Sequence, residues 1–150
     1  MRIKFSYIAI STIILLIIGL FWLSSQSTLS AFDVAKAENL YINQCANCHR
    51  KDGSGVKRVY PPLKNADYVK NGNNIELLRG MLFGRSGRIV VNGYTYNGVM
   101  TTEIDNNLSD NDIALILNYV LVKLNDITDR IVTEKDVKEA RKLGKLPPHK

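Results

Sequence analysis

The segment Cys45-Ala46-Asn47-Cys48-His49 constrains this chain more than anything else in it. The chain has 150 residues and two cysteines, which stand three positions apart with a histidine directly after them. Upstream, Val34, Ala37, Tyr41, Cys45 and Cys48 recur at steps of three and four, which predicts a helix with one buried face over Asp33 to His49. A thioredoxin-like redox pair would follow a strand, not a helix. A zinc site needs more ligands than three neighbouring residues supply, and the other histidine, His149, lies in the tail. Two thiols spaced by two residues and followed at once by histidine read as covalent haem attachment. One helical turn brings both sulfurs to the two vinyl groups of a porphyrin, and the next imidazole then projects at the iron. The expected cofactor is one haem c on two thioethers, with His49 as an iron ligand.

The compartment follows from the N-terminus. Phe5 to Leu23 carries no charge, and Arg2 and Lys4 precede it. At helical rise that run spans about 28 Å, close to a bilayer's hydrocarbon core. Basic residues on the short side predict that end in the cytoplasm and the rest outside. Two readings stand: an uncleaved anchor, or a cleaved signal with small residues at Ser25-Gln26-Ser27 or Thr28-Leu29-Ser30. Both export the domain. The expected division is a signal-anchor or signal peptide over 1–23, a linker over 24–31, a haem domain over 32–126 and a helical extension over 127–150. The expected place is the outer face of a bacterial cytoplasmic membrane, or the soluble periplasm if the leader is removed.

Within the exported part the pattern predicts an all-α domain. Gly53, Gly55, Pro61 and Pro62 interrupt regular structure. Ile75 to Phe83 reads as a short helix stopped by Gly84. Ile89 to Gly98 has the local look of a hairpin, with Asn-Gly pairs between β-branched and aromatic residues. Ser109 to Leu124 is the clearest helix. Ser109 and Asp112 form a capping box, and Ile113, Ile116, Leu117, Val120, Leu121 and Leu124 make one apolar stripe. A weaker helix spans Thr133 to Leu143, and Lys135 to Lys145 reads as a solvated amphipathic tail.

A low-spin electron carrier needs a sixth ligand on iron. The methionines are Met1, Met81 and Met100. Met1 precedes the apolar leader, and Met81 sits among Leu77, Leu78 and Leu82, where methionine commonly packs a core. Met100 follows the turn-rich Tyr94 to Val99 and is the favoured ligand, a thioether opposite histidine being one way to raise a haem potential.

These residues resemble a small class I c-type cytochrome from about Asp33 to Leu124. The matching pieces are Tyr41 through Gly55, Tyr60-Pro61-Pro62-Leu63, Tyr96-Asn97-Gly98-Val99-Met100 and Leu108-Ser109-Asp110, in the family's order. The resemblance implies that the Pro61 carbonyl accepts from the His49 ring, that Leu63 and Val99 pack on the haem, and that the first and last helices cross. Arg50 stands where relatives often have glycine, a change expected to alter local packing little. Thr101 stands where proline is common, so a less rigid ligand loop is expected.

The net charge of +6 is unevenly spread. Arg50, Lys51, Lys57, Arg58, Lys64, Lys70, Arg79, Arg85 and Arg88 crowd residues 50–88 against Asp52, Asp67 and Glu76, whereas acids dominate 100–136. Such separation steers a charged partner, here a redox protein with an acidic docking surface. Nucleic acid is not an expected partner outside the cytoplasm. The chain is therefore expected to be a one-electron carrier between a membrane respiratory donor and a terminal acceptor, with no enzyme activity of its own. The alternatives are a haem subunit of a larger oxidoreductase complex, and a gas sensor or peroxidase with an open iron position.

Overall fold

A computed structural model describes residues 34–102 and 104–148. The apolar run over 5–23 and the linker over 24–31 lie outside the described residues. Among those described, no helix is long and apolar enough to cross a membrane.

The first helix, α1, runs over 34–44 and breaks at Cys45 in a single turn residue before α2, Ala46–His49. The expected continuous helix is thus interrupted at the first cysteine, although the Cys45 amide still donates to the Tyr41 carbonyl at 2.8 Å. Two short helices follow, α3 (Asp67–Asn71) and α4 (Asn74–Phe83). Asn73 caps α4 by accepting from the Ile75 amide at 2.8 Å, and Gly84 ends it at a φ of +74°. The long helix α5 (Asp110–Asn125) opens on the expected capping box: the Asp112 amide donates to Ser109 Oγ at 3.1 Å and Asp112 Oδ2 receives the Ser109 amide at 3.3 Å. Its apolar stripe is buried along its whole length. Against it lies α1, where the Tyr41 and Tyr119 ring centroids are 5.1 Å apart and Lys36 pairs with Asp112 at 2.6 Å.

The all-α expectation needs correction. Between α4 and α5 runs a two-stranded antiparallel hairpin, β1 (Arg85–Val91) and β2 (Tyr94–Met100), in the register Arg85 with Met100 through Val91 with Tyr94. Asn92 and Gly93, at φ of +50° and +76°, form the tight turn. Two consecutive left-handed residues match the twist of the strands, which is why Asn-Gly serves here. The second Asn-Gly pair, Asn97-Gly98, is no turn; it lies inside β2, with Gly98 opposite Gly87.

The last helix, α6 (Glu134–Leu143), packs on both α4 and α5. Val137 and Ala140 are fully buried and join the same core as Tyr41, Leu78 and Leu121. The tail, expected to be amphipathic, buries one face and leaves the other solvated. Arg79 of α4 fastens its end, Nε donating to the Gly144 carbonyl at 2.6 Å and a terminal nitrogen to that of Lys145 at 2.8 Å. Gly144 is the cap of α6 and Lys145 follows it, so Arg79 ties down the chain where the helix ends.

Candidate functional site

At the end of α2, His49 is only 6% exposed. Its Nδ1 lies 2.9 Å from the Pro61 carbonyl oxygen. A carbonyl only accepts, so Nδ1 carries the proton and Nε2 keeps its lone pair. Burial lowers the ring's pKa, the Pro61 bond opposes that, and burial is the larger effect. A neutral imidazole with one basic nitrogen results. Cys45 and Cys48 are unpaired thiols, half-buried beside it. Burial, with Cys48 nearby, pushes the Cys45 thiol up to about 12, so it is uncharged at neutral pH.

The Pro61 carbonyl reaches His49 because the preceding loop is tightly folded. The Gly55 amide donates to the His49 carbonyl at 3.0 Å, and Val56 and Tyr60 bridge back to back. Gly55 has a φ of +64°, and a Cβ there would stand 2.7 Å from the Pro61 carbonyl carbon. Only glycine combines that backbone with that approach.

Two adjoining clefts open from His49. The smaller, of about 40 Å³, is lined by Cys45, Cys48 and His49 together with Met81, Met100 and Ile104. The larger, of about 280 Å³, runs between Val59, Tyr60 and Pro61 and the hairpin residues Ile89, Tyr96, Val99 and Met100. His49, Cys48 and Met100 wall both. A flat apolar group carrying a metal fits this slot on three counts. The imidazole nitrogen that makes no hydrogen bond among the described residues is on its wall. The Met100 thioether lines the same slot. Large apolar side chains around it are left uncovered, with Val99 74% and Val59 60% exposed.

The structure therefore brings Cys45, Cys48, His49, Pro61, Val99 and Met100 around one slot. Leu63 is not in either lining; it packs against the core, its amide donating to Gly53 at 2.8 Å. Met81, read as core, shares the smaller cleft with Met100. Met100 ends β2 rather than riding a loop, and it is pinned from α4. Thr102 Oγ1 donates to the Met81 carbonyl at 3.0 Å, and Gly84 lets the Met100 carbonyl come so close that a Cβ would collide with it. These ties supply the rigidity that Thr101 was expected to lose.

Asn125 was missed. It is 4% exposed at the end of α5, where Nδ2 donates to the Leu63 carbonyl at 2.7 Å and Oδ1 accepts from Ala66 at 3.0 Å. It fixes the loop that carries Pro61. The available signal was a polar residue continuing the apolar stripe, four positions after Leu121.

The family Cytochrome c matches residues 34–122. A cytochrome c-552 of Thermus thermophilus is 34% identical over 128 residues, covering 80% of this chain and 84% of the relative. The cytochrome c subunit of a quinone alcohol dehydrogenase from Gluconacetobacter polyoxogenes is 30% identical over 104 residues, 69% of this chain but 22% of that longer protein. A thiosulfate dehydrogenase of Stutzerimonas stutzeri is 48% identical over 40 residues, 24% of this chain and 13% of the relative.

Proposed function

The chain belongs to the cytochrome c family, and on that premise we propose that it is a one-electron carrier whose iron is held between His49 Nε2 and Met100 Sδ. The family's cofactor is haem c, and Cys45 and Cys48 fit its attachment pattern. When bound, the haem supplies a reversible ferric–ferrous couple. The observation that carries the assignment is that His49 and Met100 both wall the same pair of clefts, which Cys48 also walls.

The chain's residues have distinct parts. Pro61 holds the His49 proton on Nδ1, which orients the ring and strengthens its donation to a metal. Leu63 supports the Pro61 loop from the core side. Val99, Tyr60 and Val59 form an apolar rim, and the exposed Lys57 and Arg58 adjoin it. An acidic partner surface fits that rim, with rates that fall as salt rises.

The uncharged run over 5–23 supports a domain outside a bacterial cytoplasmic membrane, anchored there, or released to the periplasm where the run is removed. Electrons then pass from a membrane respiratory donor to a terminal acceptor. A second reading, a haem subunit of a larger membrane oxidoreductase, is favoured by the likeness to an alcohol dehydrogenase subunit.

Carbon monoxide decides the iron's coordination. The ferrous protein is expected to bind it weakly without denaturant, and Met100→Ala strongly. A strong adduct of the unaltered protein would instead mean an open iron, as in a gas sensor or peroxidase. Size analysis after mild detergent extraction separates the lone carrier from the subunit.

A further inference from the structure

The two edges of the hairpin differ. Its two-residue turn, Asn92-Gly93, makes Val91 and Tyr94 a hydrogen-bonded pair, and such pairs alternate along an antiparallel ladder. Ile89 with Tyr96, Gly87 with Gly98 and Arg85 with Met100 therefore bond inward. The residues between them turn their amides and carbonyls outward: Ser86, Arg88 and Val90 on β1, and Thr95, Asn97 and Val99 on β2. On the β1 side α3 lies alongside, and Arg88 puts a charge on the edge. The β2 strand has no such guard. Tyr94 to Met100 contains no charged residue, no proline and no bulge, and Thr95, Asn97 and Val99 are all exposed. Among the described residues β2 pairs with β1 alone, and the outward backbone of these three makes no hydrogen bond. Native sheets blunt such an edge with charge, proline, a bulge or a covering element, since it is a template for another strand.

We propose that β2 pairs edge to edge with β2 of a second copy of the chain, antiparallel about a two-fold axis at Asn97, giving a four-stranded sheet. The strand's own register selects this occupant. Its seven residues centre on Asn97, so outward residues face outward residues: Thr95 meets Val99, Asn97 meets its counterpart, and Val99 meets Thr95. Each of these pairs exchanges two hydrogen bonds. A two-fold contact must be self-complementary in this way. No charged side chain of β2 meets its like across the seam, which would oppose the pairing. On the slot-facing side Tyr94 comes opposite Met100 of the other copy, both large, apolar and exposed, and a thioether beside an aromatic ring is a favourable contact.

The seam is short, about 24 Å for seven residues. That is the scale of weak, exchanging contacts rather than of permanent dimers. The chain's net charge of +6 resists the approach of a second copy, and salt screens that repulsion. Salt therefore strengthens this pairing, whereas it weakens docking to an acidic protein.

The test follows the mass of the full, haem-loaded chain by sedimentation in mild detergent, from micromolar to near-millimolar concentration. The parent is expected to pass from monomer to dimer, more readily at high salt. Asn97→Lys sets like charges against each other at the axis and should weaken the dimer more than about tenfold. Thr95→Pro removes an outward amide from each copy and leaves the β1 ladder whole, for a loss of about thirtyfold. Val90→Lys adds the same charge to the other edge and should leave the dimer within about threefold of the parent. In the parent, deuterium exchange should slow at the Thr95, Asn97 and Val99 amides as concentration rises. A parent that stays monomeric overturns the proposal and leaves the edge to a strand of another protein. A dimer that survives Asn97→Lys, or that Val90→Lys weakens equally, overturns it too. Should a variant fail to fold, the parent's exchange decides, and outward amides unprotected in the dimer refute the pairing.

Discussion

The Tyr41 hydroxyl donates to the carbonyl of Arg50 at 2.9 Å, and Arg50 holds a φ of +64° with ψ of 160°. That backbone is almost exclusive to glycine and costs a side-chain-bearing residue about 1–3 kcal/mol. Arg50, expected to change local packing little, is in fact strained, and the fully buried Tyr41 holds it in place. Arg50→Gly should stabilise the protein by about 1 kcal/mol, after allowing for the added freedom of the unfolded chain. Tyr41→Phe should cost about 1 kcal/mol. Denaturant titration of both variants measures the two effects, and a destabilised Arg50→Gly would refute the strain.

Gly55→Ala forces the Pro61 carbonyl away from His49. Stability should fall by more than about 1 kcal/mol, because alanine meets both a positive φ and an occupied space. A His49 that loses its acceptor donates less to iron, so the reduction potential should rise. An unmoved potential in a folded variant would show that the Pro61 bond does not tune the site.

Thr102→Val removes the hydroxyl that ties the Met100 segment to Met81. One hydrogen bond is worth about 1 kcal/mol, so the thioether should become about fivefold easier to displace. Carbon monoxide binding to the ferrous variant reads this directly. Equal affinities in variant and parent would mean that Gly84 packing alone seats Met100.

Asn125→Ala leaves the Ala66 amide and the Leu63 carbonyl without their partner, at a cost of about 1–3 kcal/mol per buried group. Unfolding should come earlier in denaturant. The loss should reach the haem site as a disturbed His49 environment in the ferric spectrum.

Contact with Lys36, and then Ser109, holds the Asp112 carboxyl below its ordinary value of 3.8. A depressed carboxyl contributes stability that is complete above its unfolded pKa and vanishes as pH falls through the folded one. Acid unfolding below about pH 4 should therefore be less steep in Asp112→Asn. A parallel pH profile in parent and variant would exclude this pair as a source of acid sensitivity.

Much of the fold was legible because its signals are local. The capping box at Ser109 and Asp112 and the stripe from Ile113 to Leu124 depend on neighbours within one or two turns. The attachment motif is equally local. The hairpin was half-legible: Asn92-Gly93 announced a turn, but Asn97-Gly98 announced a false one, and strand pairing needs the partner's register. The strain at Arg50, the span of Asn125 and the packing of α6 are tertiary. No spacing in the chain encodes that Arg79 donates to the carbonyls of Gly144 and Lys145, or that Arg85 walls the larger cleft.

The hairpin is fastened at both ends. At its tip the Asn92 amide donates to Asp67 Oδ1 at 2.8 Å, and the Asp67 amide to Asn92 Oδ1 at 2.9 Å. At its base Gly84 and Thr102 hold Met100 against α4. With Met100 as the thioether ligand, this arm has little room to relax when the iron gains or loses charge. Small nuclear displacement between oxidation states means low reorganisation energy, and so fast transfer from a modest driving force. The two-stranded ribbon that breaks the all-helical pattern is tied at tip and base, and under the proposed Met100 ligation it would brace the domain for rapid electron exchange.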